Sequence, residues 1–431
     1  MGVINTFAQD AVDLAEPLTL DAAHARSCQA ALDESEIGTV GLEIEAHLVD
    51  LRAVPDAVAW HRVERVTDVV RAAAERSKVT FEPGGQLELS GRPEPDIVTA
   101  VESMRRDWQG VRLALAGHGL GAAFAGADPL RPSLRINPRP RYQAMEQHFA
   151  ATGRGASGAV MMNSTAALQL NLQAGPKSGW PARVELAHRL GPTLVAIAAC
   201  SPWLHGRSTG WKSTRQATWS QLDSRACGPV PGCDTVSARS AADSDPAAAW
   251  AHFAMSAPVI IVGGSGDDTQ PVCTSVTFGQ WASGRIQLCG RQPTVADLDT
   301  HLTTLFPPVR LRGYLELRYM DVAAPRWWPA IAAVAATLLD DSAAADQAME
   351  ATERTTRRWG EAARHGLRDE LLADSARRCL AIAADRVPAA LGPAVADLAE
   401  LVESGRSPGD LLASRIGDVG PLVAFEELAH A

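Results

Sequence analysis

The chain has 431 residues, of which 46% are hydrophobic and 21% charged, and a formal net charge of -10. These values exclude a disordered chain and argue against a nucleic-acid surface. Seven cysteines, scattered and without a Cys-x-x-Cys pair, favour unbridged thiols in a reducing cytoplasm over a disulfide framework or a zinc site.

The opening MGVINTFAQDAVDL has no basic segment followed by a long apolar run, so no secretory signal is read there. Gly2 and Thr6 match the short myristoylation pattern, which nothing else in the chain supports. Residues 8–34, rich in Ala and Leu with mixed charges, predict a helical lead-in. Periodicity predicts strands over 38–50, 79–90, 166–173, 258–263 and 311–320. It predicts helices over 60–76, 94–118, 138–150, 181–200 and 277–283, and an almost wholly helical segment from 325 onward. The apolar runs GPTLVAIAACSPWL and WWPAIAAVAATLL are too short to span a bilayer and predict buried helices, so no membrane is expected. Strands separated by helices imply the α+β class, one sheet flanked by helices. The division that follows is a lead-in at 1–35, a sheet-bearing domain at 36–325 and a helical region at 326–431 packed on that domain.

Two connecting segments stand out. Residues 206–235 read as a long polar loop carrying Trp211, Arg215, Trp219 and Arg225, the kind of segment that forms a lid. GGSGDD at 263–268 lacks the Lys-Ser/Thr of a phosphate-binding loop and the spacing of a dinucleotide fingerprint, which leaves a plain turn.

The predicted strands share a peculiarity. In VGLEIEAHLV (40–49), Leu42, Ile44 and Leu48 alternate with Glu43, Glu45 and His47. In TFEPGGQLELSG (80–91), Glu82, Gln86 and Glu88 share one parity; in ALQLNLQ (167–173), Gln169 and Asn171 oppose three leucines. In GYLELRYMD (313–321), Tyr314, Glu316, Arg318 and Met320 oppose Leu315, Leu317 and Tyr319. Any one strand of this kind could simply be solvated on its polar side. Four together, with polar positions holding almost only carboxylates and amides, would concentrate like charge if they lined one surface. Oxygen ligands of this type suit Mg²⁺ or Mn²⁺, whose shells are commonly completed by water and substrate phosphates. Zinc is disfavoured, because His47 has no second histidine nearby and no His-Glu-x-x-His run occurs. Gly84 and Gly85 fit either a tight turn or a close backbone approach to phosphate.

GLEIEAHL, EPGGQLELSG, LQLNL, LELR, CSPWLHGRSTGWKSTRQATWSQLDSR and TSVTFGQWASG together resemble the blocks of the glutamate–cysteine ligase family, in the branch shared by plants and many bacteria. The resemblance covers about Gly38 to Asp321. It implies a curved antiparallel sheet of the glutamine-synthetase type, with ATP, metal ions and amino acids on its concave face. It also implies ATP-dependent joining of L-glutamate, through its γ-carboxylate, to the amine of L-cysteine by way of an acyl phosphate. A ligase of the same superfamily using a different acid or amine is the alternative. Arg-rich, Lys-poor, Ala-rich composition fits a high-GC actinobacterium, and there the resemblance implies the family's ligase that opens ergothioneine synthesis, expected in the cytoplasm as a monomer or homodimer. Carried over by position, Glu43, Glu45, Glu82, Glu88, Gln169 and Glu316 are the implied Mg²⁺ (or Mn²⁺) ligands. Glu316 and Arg318 would serve the chemistry, with Arg318 on the transferring phosphoryl group. Arg215 would clamp the glutamate carboxylate, while Trp219, Arg225, Asn171, Thr165 and Tyr314 are substrate-side candidates. The sequence departs from the plant pattern at Asn163, Ser164 and Thr165, where an Arg-Thr-Cys run is absent. No counterpart of the plant redox cysteines is evident; Cys227 and Cys233 share a segment without forming such a motif.

Overall fold

The computed structural model describes residues 16–233, 245–263 and 268–430. The myristoylation pattern, the first part of the expected lead-in and the centre of GGSGDD lie outside them. After α1 (Leu20–Gln29) the chain enters β1 (Val40–Asp50), the axis of a seven-stranded sheet. β1 runs antiparallel between β3 (Leu87–Gly91) and β5 (Ala167–Gln173), and its far end pairs with β4 (Leu120–Ala123). β2 (Ser77–Phe81) lies outside β3; β11 (Tyr314–Asp321) and then β10 (Val309–Leu311) lie outside β5.

The alternation that predicted these strands has its cause in one face of the sheet. Leu42, Ile44, Leu87, Leu89, Leu168, Leu170, Leu172, Leu315 and Leu317 are all essentially inaccessible. Burying each contributes roughly 1.5–3 kcal/mol, enough to hold every strand in the register that faces its leucines inward. Across this face pack α3 (Ile97–Ala116), α6 (Trp180–Ala198) and α12 (Trp328–Asp340). In α3, Val101, Met104, Trp108, Val111 and Leu115 recur at helical spacing and are buried, and Asp96 caps the start by accepting from the Thr99 amide at 2.8 Å.

Between the strands lie α2 (Trp60–Ala73), α4 (Pro140–Ala151) and α5 (Gly155–Ser164). A small hairpin, β6 (Trp203–Leu204) and β7 (Arg207–Ser208), precedes α7 (Thr214–Trp219) and α8 (Ser224–Cys227). Then come α9 (Pro246–Ser256), a second hairpin of β8 (Ile261–Val262) and β9 (Gln270–Pro271), α10 (Phe278–Ala282) and α11 (Val295–Leu302). Past α12 the chain is helical, as α13 (Ser342–Ala351), α14 (Trp359–His365), α15 (Glu370–Ala384), α16 (Gly392–Glu403) and α17 (Pro408–His430). α15 packs on α6 and α12, and α17, kinked at Gly420 and Pro421, lays Phe425 on β1 and β4.

Four expectations need correction. The run 79–90 is not one strand but the hairpin β2–β3, turned by Pro83, Gly84 and Gly85, whose φ is 83°. The turn is close-packed: a Cβ on Gly84 would collide with the Asn163 backbone, so the close approach is to protein. The run 258–263 contributes only β8, paired with β9 outside the main sheet. The described part of 206–235 is not an unstructured lid, since it holds β7, α7 and α8. Finally, β11 carries a bulge between Leu317 and Met320, where three steps on β11 match two on β5. Beyond it Met320 pairs with Leu168 and joins the buried face instead of the polar one.

Candidate active site

The register joins the separate polar faces into one wall. Glu43 stands opposite Ser90 on β3 and Gln169 on β5; Glu45 stands opposite Glu88. Farther along, Glu316 stands opposite Asn171 on β5 and Arg310 on β10. A cavity of about 330 Å³ lies over this wall. It is lined by Glu43, Glu45, Glu82, Glu88, Gln169, Glu316, Arg318, Arg215, Trp219 and Thr165, ten of the residues singled out in the sequence.

Three others do not line it. Asn171 stands behind Glu43, donating its amide to Glu43 Oε1 at 2.8 Å. Tyr314 sits half-buried at the start of β11, opposite Gln173. Arg225 is exposed and pairs with Asp223 in the turn opening α8, its Nη2 also donating to Ser275. Arg225 therefore neither lines nor closes the cavity, contrary to expectation. His47, also on β1, is buried with Nε2 3.0 Å from the Ala125 carbonyl, and burial lowers its pKa to about 4.

Sequence reasoning passed over Lys78, Arg141, Tyr142, Phe306, Arg310 and Arg312, all on the cavity wall. For Arg310 and Arg312 a signal existed: VRLRGYLELR alternates on both sides of Gly313, as a hairpin should. Arg141 and Tyr142, in the first turn of α4, gave no such signal.

The carboxylates fall into two electrostatic classes. Burial, reinforced by Glu88 and Glu316, raises Glu43 to about 8 against the opposing Asn171 amide. Burial and Glu88 raise Glu45 to about 7, although it accepts from the Ala167 amide at 2.8 Å and from Gln169 at 3.0 Å. Glu82 is pushed well above the usual range by burial and by Glu88 and Glu45. Glu316 behaves oppositely. Burial would raise it, but Arg310 and Arg318 outweigh burial and hold it at about 2. Arg310 grips both of its oxygens, and Arg318 Nη1 donates to Oε1 at 2.9 Å and also to Gln169 Oε1.

Arg215 completes the wall from α7. It is 2% exposed; Nη2 donates to the Arg318 carbonyl at 2.6 Å, whereas Nε and Nη1 have no hydrogen-bond partner. A guanidinium at a cavity wall with Nε and Nη1 unpaired keeps a fork for a carboxylate, made by either of them together with the second hydrogen of Nη2. Trp219 packs edge-on against Phe306 beside it.

Among the described residues, no group of three His, Cys, Asp or Glu side chains is drawn together closely enough to hold a metal ion on its own. The donor chemistry nevertheless fits a hard divalent cation. Glu43, Glu45 and Glu82, each raised by burial and by Glu88, with amide oxygens beside them, gain most from a cation whose shell other oxygens complete.

The profile of glutamate-cysteine ligase family 2 (GCS2) matches residues 39–425. The chain is 47% identical over 398 residues to glutamate–cysteine ligase EgtA of Mycolicibacterium smegmatis, covering 92% of each chain. It is likewise 47% identical over 400 residues to glutamate–cysteine ligase EgtA of Mycobacterium tuberculosis, covering 93% of this chain and 91% of that one. In structure it is similar to glutamate–cysteine ligase from Francisella tularensis in complex with AMP, with a TM-score of 0.56 at 12% identity, over 92% of this chain and 88% of the other. That likeness concerns the fold, an open antiparallel sheet of the glutamine-synthetase kind flanked by helices. The chain belongs to glutamate-cysteine ligase family 2.

Proposed function

We propose that this enzyme joins the γ-carboxylate of L-glutamate to the amine of L-cysteine, driven by ATP and passing through γ-glutamyl phosphate. The observation that carries this reading is one cavity wall on which a carboxylate-rich end adjoins an arginine-rich end. Likeness to the two EgtA ligases over nearly the whole chain supports it, and accords with the expected place at the head of ergothioneine synthesis.

In this reading Glu43, Glu45, Glu82 and Glu88, joined by Gln169 and Glu316, hold Mg²⁺ or Mn²⁺. A bound divalent cation neutralises charge on the phosphoryl group during transfer. Arg318 is a fixed cation at the same group. Its guanidinium is already oriented by Glu316 and Gln169, so little reorganisation is needed as charge develops. Arg310 keeps Glu316 ionised and immobile. Arg215 receives the glutamate carboxylate on an unpaired donor and the second hydrogen of Nη2, with Trp219 and Thr165 also on the cavity wall. Asn171 acts from behind, fixing Glu43.

Phosphate release from Mg²⁺-ATP, measured across pairs of amino acids, tests the proposal. Glutamate with cysteine should give the fastest release together with γ-glutamylcysteine. A requirement for another acid or amine would move the enzyme to a different carboxylate–amine ligation, and no ATP turnover with any pair would overturn the reading.

A further inference from the structure

We propose that Asp321, buried at the end of β11, is a positioning residue that orients Arg215 by docking α7 on the bulge of β11. The inference rests on the reading of Arg215 as a substrate-carboxylate clamp. Asp321 is 1% exposed and is not among the residues lining the active-site cavity, yet it gathers three donors: the Cys200 amide at 2.9 Å and the Ser201 hydroxyl at 2.6 Å on Oδ2, and the Ser213 hydroxyl at 2.8 Å on Oδ1.

Both serines pass the constraint to α7. Ser201 Oγ accepts the Arg215 amide at 3.1 Å, and Ser213 is the N-cap of α7, its Oγ accepting the Gln216 amide at 3.1 Å. A hydroxyl that must accept from a helix amide can donate its proton elsewhere, and Asp321 takes that proton in both cases. The side chains of the first turn then engage the bulge itself. Arg215 Nη2 donates to the Arg318 carbonyl at 2.6 Å and Gln216 Nε2 to the Tyr319 carbonyl at 2.7 Å. Arg318 and Tyr319 are the residues that the register shift leaves without partners on β5, so their carbonyls are available to α7.

The result is a rigid joint between the strand bearing Arg318 and the helix bearing Arg215. With Nη2 tied to the bulge, the Arg215 guanidinium is held in one orientation at the cavity wall. Gly126 fits the same purpose: its amide donates to the Cys200 carbonyl at 2.9 Å, and any Cβ there would strike Asp321. Asp321→Asn keeps the shape and one acceptor for the Cys200 amide, but its new N–H groups face a serine that needs to donate. The N-cap loosens and the Arg215 fork loses its heading.

The test compares Asp321→Asn, Ser213→Ala and Arg215→Met for kcat, for KM of each substrate and for melting temperature, with the Asp321→Asn/Arg215→Met double variant closing a cycle. Asp321→Asn should raise, roughly 10–100-fold, the same amino-acid KM that Arg215→Met raises, with ATP KM unchanged, the scale of a small misplacement of a positioning group. Ser213→Ala should give a smaller shift in the same constant, and Asp321→Asn should add little once Arg215 is gone. If the affected constant is that of cysteine, the glutamate assignment of Arg215 falls while the positioning role stands. If Asp321→Asn and Ser213→Ala only lower the melting temperature, or if Arg215→Met moves no substrate constant, the positioning role is overturned.

Discussion

Glu316 and Glu43 project from the same face of the same sheet with only β5 between their strands, the first buried and the second half-buried. One is held at about 2 and the other raised to about 8. Burial pushes both upward; the neighbours decide the outcome. Glu316 meets Arg310 and Arg318, while Glu43 meets Glu88 and, farther off, Glu316. The fold thus supplies its own cations at the β10–β11 end and leaves the β1–β3 end to be neutralised by protons or by a bound ion. That asymmetry is what the proposed ligation requires: fixed positive charge where the phosphoryl group arrives, and exchangeable positive charge beside it.

The comparison breaks first at Glu316. Glu316→Gln strands Arg310, 7% exposed, and Arg318 without their anion, and breaking a buried ion pair costs about 3–5 kcal/mol. Chemical denaturation should show that loss, along with near-complete loss of ligation. A Glu316→Gln protein as stable as the parent would mean that the arginine clamp does not hold this end together.

Arg318→Ala comes next. It leaves Glu316 with Arg310 and removes the cation proposed to act on the phosphoryl group. We expect kcat to fall by roughly 10²–10³ with ATP affinity little changed, the scale of losing one electrostatic group in a transition state. Full turnover with a lowered melting point would reduce Arg318 to an ion-pair partner.

A third variant supplies a control away from the cavity. Asp128 accepts from the Leu130 and Arg131 amides at 2.9 Å each and from Arg131 Nε at 2.7 Å. Burial would raise its pKa, but Arg131, His47 and the two amides hold it below the ordinary value of 3.8. A depressed carboxylate contributes stability that is fully present above its unfolded pKa and is lost as pH falls through the folded one, so this contribution should fade only below about pH 4. Asp128→Asn should cost about 1.5–3 kcal/mol at neutral pH, less of it in strong acid, with the KM values unaltered. Denaturation from pH 2 to 7 measures the difference; an equal deficit throughout would show that charge is not what Asp128 contributes.

How much of this was legible in the sequence follows from what each feature depends on. Leucines alternating with polar residues marked β1, β5 and β11, because a face that buries leucines must turn its other side chains the opposite way. The β2–β3 turn was written as Pro83-Gly84-Gly85 and was overrun by an alternation that looked continuous through it. The run at 258–263 disclosed burial but not its pairing partner, since an apolar run reads alike in any sheet. The bulge at Arg318 and Tyr319 had no signature: it exists because α7 and the Asp321 network satisfy backbone that β5 does not. Arg310 escaped because its importance lies in a cross-strand partner, Glu316. Ten of the thirteen proposed site residues line one cavity, and six of them, Glu43, Glu45, Glu88, Gln169, Glu316 and Arg318, do so from strands whose parity fixes direction. Arg225 did not, since in a helical turn a neighbouring aspartate can claim it.

The smallest change in stability is expected at Glu43, and its sign is the sharpest statement of the contrast. Glu43→Gln keeps an oxygen for the Asn171 amide, which donates to Oε1, and removes a charge that Glu88 and Glu316 oppose. Without divalent ion the variant should therefore be as stable as the parent, or up to about 1 kcal/mol more so, where Glu316→Gln loses several. Mg²⁺ should reverse the ranking. An ion that binds only the folded form stabilises by RT ln(1 + [L]/Kd), about 2.7 kcal/mol at a hundredfold excess over Kd. The parent should gain on that scale and Glu43→Gln markedly less, so their melting curves should cross as Mg²⁺ is titrated in without nucleotide. Parallel gains would place the cation elsewhere, and a Glu43→Gln protein destabilised even without Mg²⁺ would show that Glu43 is braced by its surroundings as Glu316 is, erasing the distinction between the two ends of the wall.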